Sequence, residues 1–281
     1  MPSADHHPFW ARRPLTLVVN LDDRPQRWTD TLAAAAPHLP ADVLERHPAT
    51  RGAALADFGR PPWFRGRPRD RTWAGRAGCL LSHRRAIARA AAEDREWLLL
   101  LEDDVVFDPA FDQVLRDLAP LLTENKRWSA CYLGVVDPVG PRETLARLGA
   151  DRALRRVGGV NTTHAYLLHR RIFAALLAAL PDETGVWPWL ARHRAIDRWY
   201  RRHLADHGEV LAVSPSLVNQ RVGLSDITGR DTATDDTASH ATIVGPDSLL
   251  PRLGRPARAL AVRLADLWDA FRARRKHRRG F

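Results

Sequence analysis

The chain is poor in sulfur: 281 residues hold two cysteines, Cys79 and Cys131, and one methionine. Neither cysteine lies in a CxxC pair. Two thiols cannot build a cysteine-only zinc site, and they give no disulfide framework of the kind small secreted domains use. Both stand in apolar surroundings and are read as buried, reduced thiols. Long apolar runs are missing as well. The longest, such as Ile172 to Leu180, fall well short of the ~20 residues that span a bilayer. Met1 to Arg13 is polar, with His6, His7, Arg12 and Arg13, and has no apolar segment like that of a secretory signal. These absences predict a cytoplasmic protein. Internal repeats are absent. So is a Gly-rich, Lys-bearing phosphate loop near Leu21, which a nucleotidyltransferase would ordinarily carry.

What is present is a globular balance of 45% hydrophobic and 27% charged residues, enough for one large α/β domain with a short appendage. The formal net charge of +10 is unevenly placed. From Arg252 to Phe281 there are ten Lys/Arg against Asp266 and Asp269, which leaves +2 for residues 1–251. A near-neutral body argues against nucleic-acid binding through the main fold, which would need a basic face on the domain itself.

Leu15 to Leu21 is a β-branched apolar run that breaks into Asp22-Asp23-Arg24-Pro25, the pattern of a buried strand ending in a loop. A helix is predicted over Gln26–Ala36, closed by Pro37, and an irregular segment over 48–75. Gly78–Ala92 reads as a helix with Ser82 and His83 near its start, Trp97–Leu101 as a second buried strand, and Phe111–Leu122 as a helix. Further strands are expected over 130–136, 160–168 and 210–213. Helical patterns cover 172–180 and 187–204, and 138–156 is weakly patterned. Residues 224–247 read as a loop. Alternating strands and helices predict an α/β fold with a mostly parallel sheet flanked by helices. In such sheets ligands bind beyond the carboxyl ends of the strands, which selects Asn20–Arg27 and Glu102–Asp104.

The strongest local signal is Glu102-Asp103-Asp104 at the end of a buried strand. Like charges this close raise one another's pKa, and a divalent cation relieves that; hard carboxylate oxygens suit Mg²⁺ or Mn²⁺. Strand alternation puts Glu102 and Asp104 on one side, as metal ligands, with Asp103 on the other. The competing reading is a solvated acidic turn. In Asn20–Arg27, Arg24 and Arg27 are spaced to hold a phosphate or stack on a base, and Asn20 or Asp22 to bond a nucleobase or ribose; a plain strand-to-helix turn is the alternative. Gly78 near a helix start would favour an anion, with Ser82 and His83 contacting phosphate or sugar hydroxyls, against a helix cap with a packed imidazole. Asp197 beside Trp199 and Tyr200 suits a sugar site, with the acid as general base and the rings packing on the sugar. The alternative is a surface Asp paired with Arg194 or Arg201. Gln220, Ser225 and Asp226 follow the last strand and fit an acceptor pocket or a loop.

In order along the chain, Val19–Arg27, Gly78–His83, Leu101–Val105, Cys131–Gly134, Thr163–Leu168, Ile196-Asp197, Pro215–Val218 with Gln220, and Ser225–Ile227 resemble glycosyltransferase family 25, the lipooligosaccharide and procollagen galactosyltransferase group. The resemblance spans about residues 14–229. It implies a GT-A fold, a UDP-sugar donor with galactose the first choice, an inverting transfer to a hydroxyl, and an acidic triplet that binds metal and donor diphosphate, Asp103 included. The family's context is surface glycan assembly in bacteria, so a glycan or lipid-linked glycan is the expected acceptor. Asp197 is the first choice as base and Asp226 the second. His164 departs from the pattern, which has a small or aromatic residue there, and the Arg- and Trp-rich 59–73 segment has no counterpart in it.

The expected organisation is an extension over 1–13, a transferase domain over 14–247 and a basic tail over 248–281. In the tail, Leu260, Leu264, Leu267, Trp268 and Phe271 recur at helical spacing among many basic residues. That pattern fits a helix lying on the anionic inner face of the cytoplasmic membrane, or equally one docked on the domain. The functional alternative to an enzyme is a glycan- or membrane-binding module on a degenerate transferase fold.

Overall fold

The computed structural model describes residues 7–40, 42–59, 71–136, 138–140 and 142–221, and, in the C-terminal segment, residues 260, 264, 267, 268 and 271. The fold is built on strand β1 (Leu15–Asn20) with β2 (Leu44–Pro48) on one side and β3 (Trp97–Glu102) on the other, all parallel. β1 and β3 are near-continuous apolar runs because both faces of the sheet are covered. Beyond β3 come β8 (Ala165–His169), β5 (Trp128–Tyr132), β9 (Glu209–Ser214), β7 (Arg152–Val157) and β6 (Glu143–Leu148). β8 and β7 run against their neighbours, so six of the eight strands point one way. The predicted α/β class, with a mostly parallel sheet between helices, is borne out. A separate two-stranded ladder pairs β4 (Val105–Phe107) with β10 (Val218–Gln220).

The alternation of side chains along β3 divides the core in two. Leu98 and Leu100 pack with helices α2 (Arg71–Ala92), α4 (Phe173–Ala179), α5 (Val186–His193) and α6 (Ile196–His203). Trp97, Leu99 and Leu101 pack on the opposite face with α1 (Pro25–Ala35) and α3 (Phe111–Glu124). α3 shows why: Phe111, Val114, Leu115, Leu118, Ala119 and Leu122 are buried at helical spacing. No helix among the described residues is long and apolar enough to cross a membrane. Both cysteines are free thiols, Cys131 buried and Cys79 partly so.

Three regions differ from the sequence reading. α2 begins at Arg71, so Gly78 is mid-helix and no helix N-terminus lies beside Ser82 and His83. The glycine serves close packing instead: a Cβ there would stand 2.4 Å from the Thr50 carbonyl oxygen. The weakly patterned 138–156 stretch contains the antiparallel β6–β7 pair at the sheet edge. Its alternation is masked by arginines such as Arg152, whose guanidinium is buried against Asp108 at 2.5 Å. β2 is likewise an edge strand, where Pro48 costs no ladder bond at the strand's end.

Candidate active site

The carboxyl end of β3 sits between the carboxyl end of β1 and the start of β8, so the acidic triplet emerges at the sheet's crossing point from parallel to antiparallel pairing. The three side chains diverge. Asp103 turns toward the β1–α1 loop, where Asn20 Nδ2 donates to it at 2.7 Å and Arg27 at 3.1 Å. Thr31 Oγ1 donates to its backbone carbonyl at 2.9 Å. Glu102 turns toward α2 and β8: Thr163 Oγ1 donates to its Oε1 at 2.9 Å, and His83 Nε2 stands 3.8 Å away. Asp104 faces β10, with Gln220 Nε2 3.4 Å from both carboxylate oxygens.

The electrostatics follow from burial. Desolvation, reinforced by the charge of Asp104 and then of Asp103 and Asp197, pushes the Glu102 carboxyl up to about 8. Asp104 is also raised, first by burial and then by Asp103. Burial lowers His83 to about 3, so it is a neutral imidazole. Its Nδ1 is bonded to the Tyr166 hydroxyl at 2.7 Å, and its buried Nε2 has no hydrogen-bond partner among the described residues. Asp197, in the first turn of α6, is near enough for its charge to act on Glu102, Cys79 and Tyr132. Two donor sets therefore share Glu102. With Asp104 it offers hard carboxylate oxygens whose mutual repulsion a divalent cation would relieve. With Cys79 Sγ and His83 Nε2, all within 4.8 Å of one another, it offers a softer set.

Most of the sequence-predicted residues converge here, in unequal roles. Asn20 is fully engaged: Nδ2 donates to the Arg24 carbonyl and to Asp103, and Oδ1 accepts from Arg46. It braces the loop that carries Arg24 and Asp22, both exposed, with Asp22 held by Arg46 at 2.7 Å. Ser82 is buried, donates to the Gly78 carbonyl and accepts from the Thr50 amide, so its hydroxyl ties α2 to the preceding loop. Trp199 and Tyr200 correct the expectation of a sugar-packing face. Trp199 is 7% exposed and Tyr200 0%, both in the core beneath α6, because helical spacing turns them inward while Asp197 stays at the surface. Ser225 and Asp226 lie outside the described residues.

Sequence reasoning missed Thr163, Arg46 and Cys79 as parts of this site. Thr163 stood inside a quoted stretch without a role, and Arg46 lies on a strand whose sequence, LERHP, carries no β pattern. His164, the departure from the family pattern, has a structural use: Nε2 bonds the Val218 carbonyl at 3.0 Å and so fixes β10, and Gly134 leaves the room it occupies.

Among solved structures, the chain is similar to the mannose-1-phosphate geranyltransferase from Thermus thermophilus, at 16% identity and a TM-score of 0.36, over 72% of this chain and 73% of that one. No curated protein matches it. Residues 67–132, which include α2, the acidic triplet and β5, match the family model described as Glycosyltransferase family 25 (LPS biosynthesis protein), which bears out the resemblance read from the sequence and supports a glycosyltransferase.

Proposed function

We propose that the protein is a metal-dependent glycosyltransferase of GT-A type that moves a hexose, with galactose the first choice, from a UDP-sugar to a hydroxyl of a bacterial surface glycan, with inversion. What supports this reading is that Glu102 and Asp104, though their side chains diverge, leave the carboxyl end of β3 close enough for the charge of Asp104 to act on Glu102, with Asp197 also acting on Glu102. Two half-buried carboxyls held above their ordinary range form a hard-oxygen donor set that fits Mn²⁺ or Mg²⁺. Glu102 and Asp104 would hold the ion, which when bound offsets the charge of a departing diphosphate.

The remaining work falls to the chain. Asp103 stays paired with Asn20 and Arg27 and keeps the β1–α1 loop in register, so that exposed Arg24 and Asp22 flank the donor. Asp197 takes the proton of the acceptor hydroxyl as its oxygen bonds the anomeric carbon. The bond from that carbon to the diphosphate oxygen breaks with its electron pair, and UDP leaves. Gln220 beside Asp104 borders the acceptor side. No covalent enzyme intermediate is needed.

Thermal unfolding with UDP, Mn²⁺ and both together tests the reading. A ligand at a hundred times its Kd stabilises by about 2.7 kcal/mol, a shift of several degrees. Stabilisation by UDP that requires Mn²⁺ is expected; none by any combination would favour a binding module that has lost its donor site.

A further inference from the structure

Eight large hydrophobic side chains are exposed among the described residues, and five of them belong to the C-terminal segment. Leu32, Val106 and Val136 are scattered on the domain and are 38–42% exposed. Leu260, Leu264, Leu267, Trp268 and Phe271 are 54–64% exposed, and all five are helical. Isolated apolar residues on a surface need no explanation, but a contiguous set does. At about 100° per residue, the sequence spacing of the five positions puts them within an arc of about 100°. Trp268 and Phe271 stack, with ring centroids 5.9 Å apart at 26°, so the two aromatics form one exposed apolar plate. The alternative read from sequence, an apolar face docked on the domain, is not realised at these positions.

The charge of the segment that carries this face identifies what covers it. Residues 252–281 carry ten Lys/Arg and two Asp, whereas residues 1–251 net only +2. A second copy of the chain would bring the same positive segment against this one, and an apolar core would leave the charge without a counterpart. We infer that this face is a docking surface for an anionic phospholipid bilayer, on which Leu260, Leu264, Leu267, Trp268 and Phe271 enter the acyl boundary and the Lys/Arg of the same segment meet the headgroups. An apolar stripe with aromatic residues beside many cations is the chemistry of an interfacial helix. Each basic residue near such a surface strengthens binding roughly five-fold, so the segment's surplus is ample for reversible attachment. The inference is independent of the donor reading, because it concerns a different part of the chain.

The test is flotation of the full chain with vesicles of phosphatidylcholine alone or with about a third phosphatidylglycerol, at low and high salt. Expected is binding to the anionic vesicles that weakens at high salt and is slight on neutral ones. The triple variant Leu267→Glu, Trp268→Glu, Phe271→Glu removes side chains that are exposed, so the fold should persist, and binding should fall at least tenfold. Reversing Arg274, Arg275 and Lys276 to Glu should do the same through charge. Equal binding to neutral vesicles, or full binding by either variant, would overturn the inference. So would a wild-type dimer by light scattering that the first variant dissociates, without vesicle binding. Capture of a nucleic-acid duplex in place of vesicles would overturn it too.

Discussion

Replacing Glu102 with Gln should make the protein more stable at neutral and alkaline pH while removing its metal-dependent function. A glutamate carboxyl ordinarily titrates near 4.5, and burial with nearby carboxylates raises this one to about 8. Between those values the folded chain holds a proton that the unfolded chain has released. The group's contribution is therefore fully present below 4.5 and is lost as pH rises through about 8. At roughly 1.4 kcal/mol per pH unit, the loss by pH 7 reaches an upper limit of about 3 kcal/mol. Glutamine cannot titrate and keeps a group for Thr163 to bond, so the variant's stability should change less between pH 5 and 8. Urea denaturation in chelator at pH 5, 6, 7 and 8 measures this directly. The two proteins should be close at pH 5 and diverge by up to about 3 kcal/mol at pH 7. Saturating Mn²⁺ should flatten the wild-type profile and leave the variant's unchanged. Parallel pH profiles for the two proteins would refute the claim that Glu102 is held as a buried, charge-crowded carboxyl.

Gly78→Ala places a Cβ 2.4 Å from the Thr50 carbonyl oxygen, and the loop after β2 must move; denaturation should show a loss of about 1–3 kcal/mol. Arg152→Ala takes the guanidinium from the largely buried Asp108 carboxylate and leaves it the Ala110 amide, which should cost about 3–5 kcal/mol by the same assay, with donor binding retained at temperatures where the variant is folded. Asp197→Asn should lower kcat by two orders of magnitude or more while UDP–Mn²⁺ stabilisation persists, because the acid acts on the acceptor and not on the donor. Unchanged kcat would remove Asp197 from the base role.

The layered α/β fold was legible because β1, β3, β5 and β9 are buried on both faces and their apolar runs stand out, and because α3 repeats at helical spacing. The edge strands were not legible. β2 and β6 pair with one neighbour and β7 lies next to the edge, and charged residues such as Arg46, Glu143, Arg152 and Arg156 interrupt their apolar pattern. Gly78 misled in an instructive way: glycine marks helix ends and also marks places where two backbones nearly touch, and only tertiary packing separates the two. At the site, three adjacent carboxylates were visible, but not their divergence into separate partner sets. That depends on Asn20, at the end of β1, and on Thr163, in the loop that leads into β8. Trp199 and Tyr200 show the converse: aromatics next to an acid suit a sugar site, but the helix that presents Asp197 turns both rings into the core.

The central claim is that Glu102 and Asp104 hold a divalent ion that carries the donor diphosphate. Its most direct test is UDP release from a panel of UDP-sugars, with and without Mn²⁺, by the wild type and by Asp104→Ala. The account predicts Mn²⁺-dependent release from one donor, UDP-galactose first among them, and its loss in a variant that keeps the wild-type circular dichroism. Equal turnover by Asp104→Ala, or release that ignores the metal, would contradict it.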